Sequence, residues 1–205
     1  ETIKQLEKLV SKYPGNIEII ETFTRGLVNL SAIQQEGTQE IVERLEQLVN
    51  KYPKNLRIVV SLARSLTNLS VNHEEKRQMV VNRLEQLVSK YPENLEIAFC
   101  FAASLFNLRI KQEEKEMQKT IKRLENLSNK YPENLELTVF LAEGLVDLSV
   151  RQEKEERQET INRLKVLVEK YPDSLEIANI FAESQNQNPQ TTDNLDTFGS
   201  SDVLD

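Results

Sequence analysis

The sequence predicts an all-α chain, a right-handed α-solenoid of stacked helix-turn-helix repeats, and three observations predict it. A Tyr-Pro pair recurs at Tyr13-Pro14, Tyr52-Pro53, Tyr91-Pro92, Tyr131-Pro132 and Tyr171-Pro172, with its prolines 39, 39, 40 and 40 residues apart. Self-similarity at a fixed period of this length marks units that stack and share one core. Between the pairs, apolar residues return every three or four positions, which is helical spacing. Two residues after each proline stands Asn16, Asn55, Asn94, Asn134 or Ser174, so a helix stop and a helix start lie side by side in every repeat.

Taken in order, the chain opens in the second half of a repeat. Thr2-Ile3, Leu6 and Leu9 match Thr120-Ile121, Leu124 and Leu127, and again Thr160-Ile161, Leu164 and Leu167. Pro14 ends this helix, because the residue before a proline is pushed out of the α region. Starting at Glu1 inside a repeat, the chain reads as a piece of a longer protein. The Asn or Ser after each proline reads as an N-cap, since both side chains accept a bond from an orphan N–H of the first turn. Glu18, Glu96, Glu136 and Glu176 follow, where the helix dipole favours a carboxylate, while repeat two has Arg57.

The first helix of each repeat carries a core stripe, Ile19, Phe23, Leu27 and Leu30 in repeat one and Ile97, Phe101, Leu105 and Leu108 in repeat three. Two positions on it stay small: Thr24, Ala63, Ala102, Ala142, Ala182, and Gly26, Ser65, Ser104, Gly144, Ser184. Glycine inside a helix costs about 1 kcal/mol relative to alanine, so Gly26 and Gly144 predict close helix contact. A polar connection follows, and all length variation falls there, with Gly37 marking it in repeat one. The second helix then runs to the next Tyr-Pro, for instance with Ile41, Leu45, Leu48 and Tyr52 on one face. Arg44, Arg83, Arg123 and Arg163 recur beside its leucines and read as ion-pair partners of a neighbouring repeat's Glu, an anion-binding column being the alternative. After Ala182 the apolar pattern fails. Leu175 to about Ser184 reads as a capping helix with a wet outer face. The predicted domain therefore covers residues 1–184, and the polar, acidic tail 185–205 lacks the apolar content to fold alone.

Large apolar residues followed by small ones, in helix hairpins that end at proline, resemble the tetratricopeptide repeat. Phe101-Ala102 with Leu105, Leu141-Ala142 with Leu145, and Phe181-Ala182 look like that family's first-helix signature. Leu124, Leu127 and Pro132 look like its second-helix and terminator positions. The period of 39–40 residues is longer than the family's 34, the second helix has Thr or Val where the family prefers a small residue, and Trp is absent. The extra residues fall in the turn inside each repeat, which fits a lengthened variant, with related helical-hairpin arrays, half-a-TPR and HEAT-like ones among them, as the alternative.

Charge and composition bound the function. The net charge is −7, against the basic footprint of a nucleic-acid binder. Five of the 33 acidic residues lie from Glu183 onward, so the rest of the chain is nearly neutral. No apolar run is long enough for a membrane span. Cys100 is the only cysteine, which fits a reducing compartment and hence a cytoplasmic protein. It reads as a buried small residue, since Thr22, Ser61, Phe140 and Ile180 hold its place in other repeats. His73, the only histidine, stands where other copies have Gln and reads as a surface residue. No phosphate loop or metal-ligand spacing is present, so no catalysis, no cofactor and no metal are expected.

The expected function is a protein–protein interaction scaffold that takes a protein or peptide in a concave groove, which in tetratricopeptide-like proteins the first helices line. A sensor arm of a larger enzyme, cut away before Glu1, is the alternative, and single-stranded RNA binding ranks last. The face of Ile3, Leu6, Leu9 and Val10 at the N-terminal edge is expected to meet an upstream domain, a partner or a second copy. Groove positions lie seven, eleven and fourteen residues after each proline and differ between copies. They give Val60, Phe99 and Val139; Arg25, Arg64, Ala103 and Glu143; and Phe106 and Val146. Asn29, Asn68, Asn107 and Asp147 form a column beside them. Read along the chain, they run from basic through apolar to acidic. They fit a segment whose apolar anchor lies over Phe99 and Phe106, unless those rings pack on a neighbouring helix. The Asn column either clamps a peptide main chain or satisfies helix ends.

Overall fold

A computed structural model describes residues 2–34 and 36–186 of the chain, so the acidic tail expected from 185 on lies outside it beyond Asn186. The described residues form ten α-helices and no strand. They are α1 (Thr2–Lys12), α2 (Ile17–Ile33), α3 (Thr38–Lys51), α4 (Leu56–Asn72), α5 (Arg77–Lys90), α6 (Leu95–Leu108), α7 (Glu114–Lys130), α8 (Leu135–Ser149), α9 (Lys154–Lys170) and α10 (Leu175–Asn186). Short 3₁₀ turns, Glu74–Lys76 and Arg109–Lys111, follow α4 and α6. The even-numbered helices are the first helices of the repeats, and the odd-numbered are the second.

The helix boundaries follow from the predicted local chemistry. Asn16 accepts from the Ile19 N–H at 3.1 Å, Asn94 from Ile97 at 3.0 Å, Asn134 from Leu137 at 3.1 Å and Ser174 from Ile177 at 3.3 Å. Asn55 takes two such donors, Arg57 at 3.0 Å and Ile58 at 3.3 Å. The second helices close one residue before their tyrosines, whose N–H still bonds the last leucine of the helix. Gly37 sits at φ 86° at the start of α3, a left-handed conformation that a side chain would strain.

The chain folds as two compact units, residues up to Gln112 and residues from Glu113 on. In the first, α2 packs on α4 and α4 on α6, while α1, α3 and α5 each pack against the first helix that follows. In the second, α8 packs on α7, α9 and α10, and α10 also packs on α9. Of the apolar stripe that the sequence predicts, Phe23, Leu27, Ile97, Phe101 and Leu105 are buried, while Leu30 and Leu108, near the ends of their helices, are half-buried. In repeat one the fully buried isoleucine is Ile20 and the expected Ile19 is half-buried, because the stripe is wider than one residue per turn. Of the two small columns, Thr24, Ala63, Ala102 and Ala142 are buried, as are Ser65, Ser104, Gly144 and Ser184, while Gly26 is half-buried and Ala182 lies exposed on α10.

Repeats are tied across their boundaries by polar ladders. Arg44 pairs with Glu7, Arg83 lies 2.8 Å from Glu46, and Arg163 lies 3.4 Å from Glu125. Arg44, Arg83 and Arg163 are thus ion-pair partners; Arg83 meets Glu46 as a charge contact whose Nη1 lacks hydrogen-bond alignment. A second ladder links tyrosines to prolines. The Tyr52 hydroxyl donates to the Pro14 carbonyl at 2.6 Å, Tyr91 to Pro53 at 2.8 Å and Tyr171 to Pro132 at 3.2 Å.

Candidate partner-binding groove

Side-by-side packing of the first helices decides which groove positions face outward. In the first unit the row seven residues after the proline borders the seam between neighbouring first helices. Glu21 there accepts from Asn55 Nδ2 at 3.0 Å and pairs with Arg57 at 2.8 Å. The row fourteen residues on borders such a seam too, between α4 and α6, where the Thr67 hydroxyl donates to the Cys100 carbonyl at 3.3 Å. The row eleven residues on points out: Arg25 and Arg64 are exposed, and Ala103 and Glu143 are half-buried.

Arg25, Asn29, Val60 and Arg64 come together with Arg57 in one cleft of about 550 Å³ over α2 and α4. Arg64 lies 3.2 Å from Glu96, with both side chains largely in water, whereas Arg25 makes no ion pair or hydrogen bond among the described residues. The Asn55 hydrogen bond, then Arg57, hold the Glu21 carboxyl below its ordinary range. Three arginines and two carboxylates, Glu21 and Glu96, thus line this cleft together with Val28 and Val60.

The apolar middle is partly committed elsewhere. Phe99 and Phe106 are half-buried, and the Arg109 guanidinium stacks 3.3 Å from the Phe106 ring centroid while donating to the Phe106 carbonyl at 2.7 Å. In the second unit, α8 carries the four later positions. Val139 and Val146 are 8% and 9% exposed, against their expected place as open groove positions, because their rows fall in a helix seam. Glu143 and Asp147 are half-buried on the same helix. The asparagine column resolves towards structure at Asn68, whose Nδ2 donates to Ser31 Oγ at 2.9 Å, with Ser65 Oγ 3.1 Å from the same hydroxyl. Asn29 is exposed and Asn107 half-buried.

The residues set aside as non-chemical sit as follows. Cys100 is buried, and burial pushes its thiol up to about 11, so it is a neutral packing residue at physiological pH. His73 is half-buried at the end of α4 with Nδ1 3.4 Å from Glu75, more enclosed than the surface position expected of it. Among the described residues no three His, Cys, Asp or Glu side chains are grouped to hold a metal ion, and no helix is long and apolar enough to cross a membrane. At the N-terminal edge Leu9 and Tyr13 are exposed and Leu6 and Val10 half-buried. Compared with protein-family models, with curated proteins and with solved structures, the chain matches none.

Proposed function

We propose that the chain is a non-catalytic interaction module, a tetratricopeptide-like right-handed solenoid that binds a peptide or a partner protein across its first helices. One observation carries the reading. The outward row reads Arg25, Arg64, Ala103, Glu143 and Glu183, passing from basic through neutral to acidic along the chain, while the core rows beneath it keep their residue types. Stacking alone leaves an exposed row free to drift but gives no reason for its charge to change sign in order along the chain. A non-repetitive ligand lying across the row supplies that reason, and solenoids offer such extended surfaces. The cleft over α2 and α4, with its cations and valine floor, is where a ligand's acidic part fits; the aromatic stretch at Phe99 and Phe106 follows it. A cytoplasmic setting agrees with the single, buried thiol.

The test is quantitative capture of the native partner, identified by mass spectrometry, by the chain and by its Phe99→Ala/Phe106→Ala variant. Loss of aromatic anchors typically costs ~2 kcal/mol or more of affinity, with helicity retained by circular dichroism. Undiminished capture by a folded double variant overturns the placement of the groove.

A further inference from the structure

Repeat two departs from its siblings at the turn that starts its first helix. The residue after the proline is Gly15, Glu93, Glu133 or Asp173 in the other repeats and Lys54 here. Four residues after the proline the others carry Glu18, Glu96, Glu136 and Glu176, and this one carries Arg57. Helix physics does not ask for this reversal. The first turn of α4 is the positive end of its dipole, where a carboxylate is favoured and a cation is not. Arg57 has a structural partner in Glu21, but Lys54 is exposed and makes no ion pair or hydrogen bond among the described residues.

Beside the two reversed charges lies an open pocket of about 770 Å³ with a floor of Ile17, Tyr52, Pro53 and Leu56. Ile17 and Leu56 are 42% and 48% exposed, large apolar surfaces left to water on a helix start. Lys51 completes the rim, its ammonium 5.4 Å from the Tyr52 ring centroid. Three cations and one carboxylate, Glu21, thus rim an apolar floor; Asn55 and Arg57 engage that carboxylate, so Lys51 and Lys54 carry the excess positive charge.

We propose that this pocket seats an apolar side chain from an acidic segment of a partner protein, with carboxylates on either side of that anchor meeting Lys54 and Arg57. The inference rests on the chain being an interaction module, and it adds an anchor point at the Tyr52-Pro53 turn, outside the rows of the first-helix groove. Charge complementarity selects the occupant, and the floor separates a peptide from a nucleic acid. Single strands are held by bases stacked on open aromatic faces. Here the one ring has a lysine over it and its hydroxyl tied to Pro14, and the rest of the floor is aliphatic.

A random dodecapeptide phage library panned against the full chain, with a counter-screen on Lys54→Glu/Arg57→Glu, tests this. The variant loses the Arg57–Glu21 pair, so it is expected to keep its helicity but melt somewhat lower. Lys54→Glu alone, which leaves that pair intact, is expected to keep its melting profile and to weaken binding of the selected peptides. Clones that distinguish the two proteins are expected to hold Asp or Glu on both sides of Leu, Ile or Phe. As free peptides they should bind the variant about tenfold more weakly or worse and lose affinity with added salt. Leu56→Ser should weaken the same peptides. The proposal is overturned if no clone distinguishes the proteins, if the distinguishing clones are neutral or basic, or if labelled oligo-uridine binds in a variant-sensitive way and peptides do not. Peptides that respond to Phe99→Ala/Phe106→Ala but not to this variant leave the groove reading standing and remove this one; peptides that respond to neither remove both.

Discussion

At the scale of single residues, the tyrosines do a job that the apolar periodicity does not announce. Packing alone asks only for a large apolar residue at the end of each second helix, yet all five tyrosines of the chain stand there. The hydroxyl is the reason: it reaches the proline carbonyl one repeat back, a group that no helix satisfies, as Tyr91 does with Pro53 at 2.8 Å. Tyr91→Phe is therefore expected to lower stability by about 0.5–1.5 kcal/mol, the net worth of one hydrogen bond, read as a fall in Tm. Tyr13 is 44% exposed and its hydroxyl has no hydrogen bond among the described residues, so Tyr13→Phe should leave Tm unchanged. Equal losses in both variants would mean that the ladder bond is not the cause. Glu21 gives a pH test. Asn55 and then Arg57 lower its folded pKa below the unfolded value, so its contribution is fully present above the unfolded pKa and fades as pH falls through the folded one. The Tm difference between the wild-type chain and Glu21→Gln should accordingly be constant above about pH 5 and shrink towards zero below it. A difference that grows on acidification would reverse the assigned sign.

At the scale of helix pairs, the glycine in α8 has a specific counterpart in α7. A Cβ on Gly144 would sit 2.5 Å from Ile121 Cδ1 and 3.6 Å from Leu124 Cδ1. The corresponding pairs one and two repeats earlier are Val81 with Ser104 and Val42 with Ser65. Where the second helix has the larger isoleucine, the first helix gives up its Cβ. The exception is Ile161 with Ser184, where the isoleucine is only half-buried and has room. Gly144→Ser alone should destabilise by about 1–3 kcal/mol through overpacking. Adding Ile121→Val should recover most of that loss, a coupling that a double-mutant cycle in denaturant measures. Simple additivity would refute the size exchange. Much of this level was legible beforehand: the caps, the stops at proline, the small columns and the arginine ladder each follow from local chemistry repeated in register. Burial of Val139 and Val146 was not, because periodicity around one helix does not say how many neighbours that helix has. A first helix with another first helix beside it turns two of the three supposed groove rows into seam borders, half-covered at Val60, Phe99 and Phe106, and leaves Arg25 and Arg64 of the third row fully exposed. The Lys54 and Arg57 reversal was visible in the sequence as the odd copy. Its meaning needed the pocket beside it.

At the scale of the whole molecule, the repeat plan makes a claim that composition cannot: the chain should tolerate loss of a whole period but not of part of one. In a stacked array each repeat contacts only its neighbours, so stability is a sum of units and interfaces. Removing residues 54–92, one full period, joins Pro53 to Glu93 and regenerates the Tyr-Pro-Glu-Asn sequence of the later repeats. Asn94 then caps α6 directly after α3, and Ile97 and Phe101 take the places of Ile58 and Leu62 against it. On α2, Ser104 and Asn107 arrive where Ser65 and Asn68 meet Ser31. Phe101 is larger than Leu62, so some overpacking, about 1–3 kcal/mol, accompanies the lost interfaces. The shortened chain is nonetheless expected to keep its helical content per residue and a cooperative melt. Removing only residues 54–72 deletes α4 and sets α3 against α5, two second helices whose polar faces are not built to meet. That chain should lose cooperativity and expose apolar surface to a hydrophobic dye. Because the full-period deletion also removes Lys54, Leu56 and Arg57, it should fold and yet lose the peptides that depend on the Tyr52-Pro53 pocket, separating architecture from binding in one molecule. If the full-period deletion unfolds as completely as the partial one, the units are not interchangeable and the stacked-repeat plan fails.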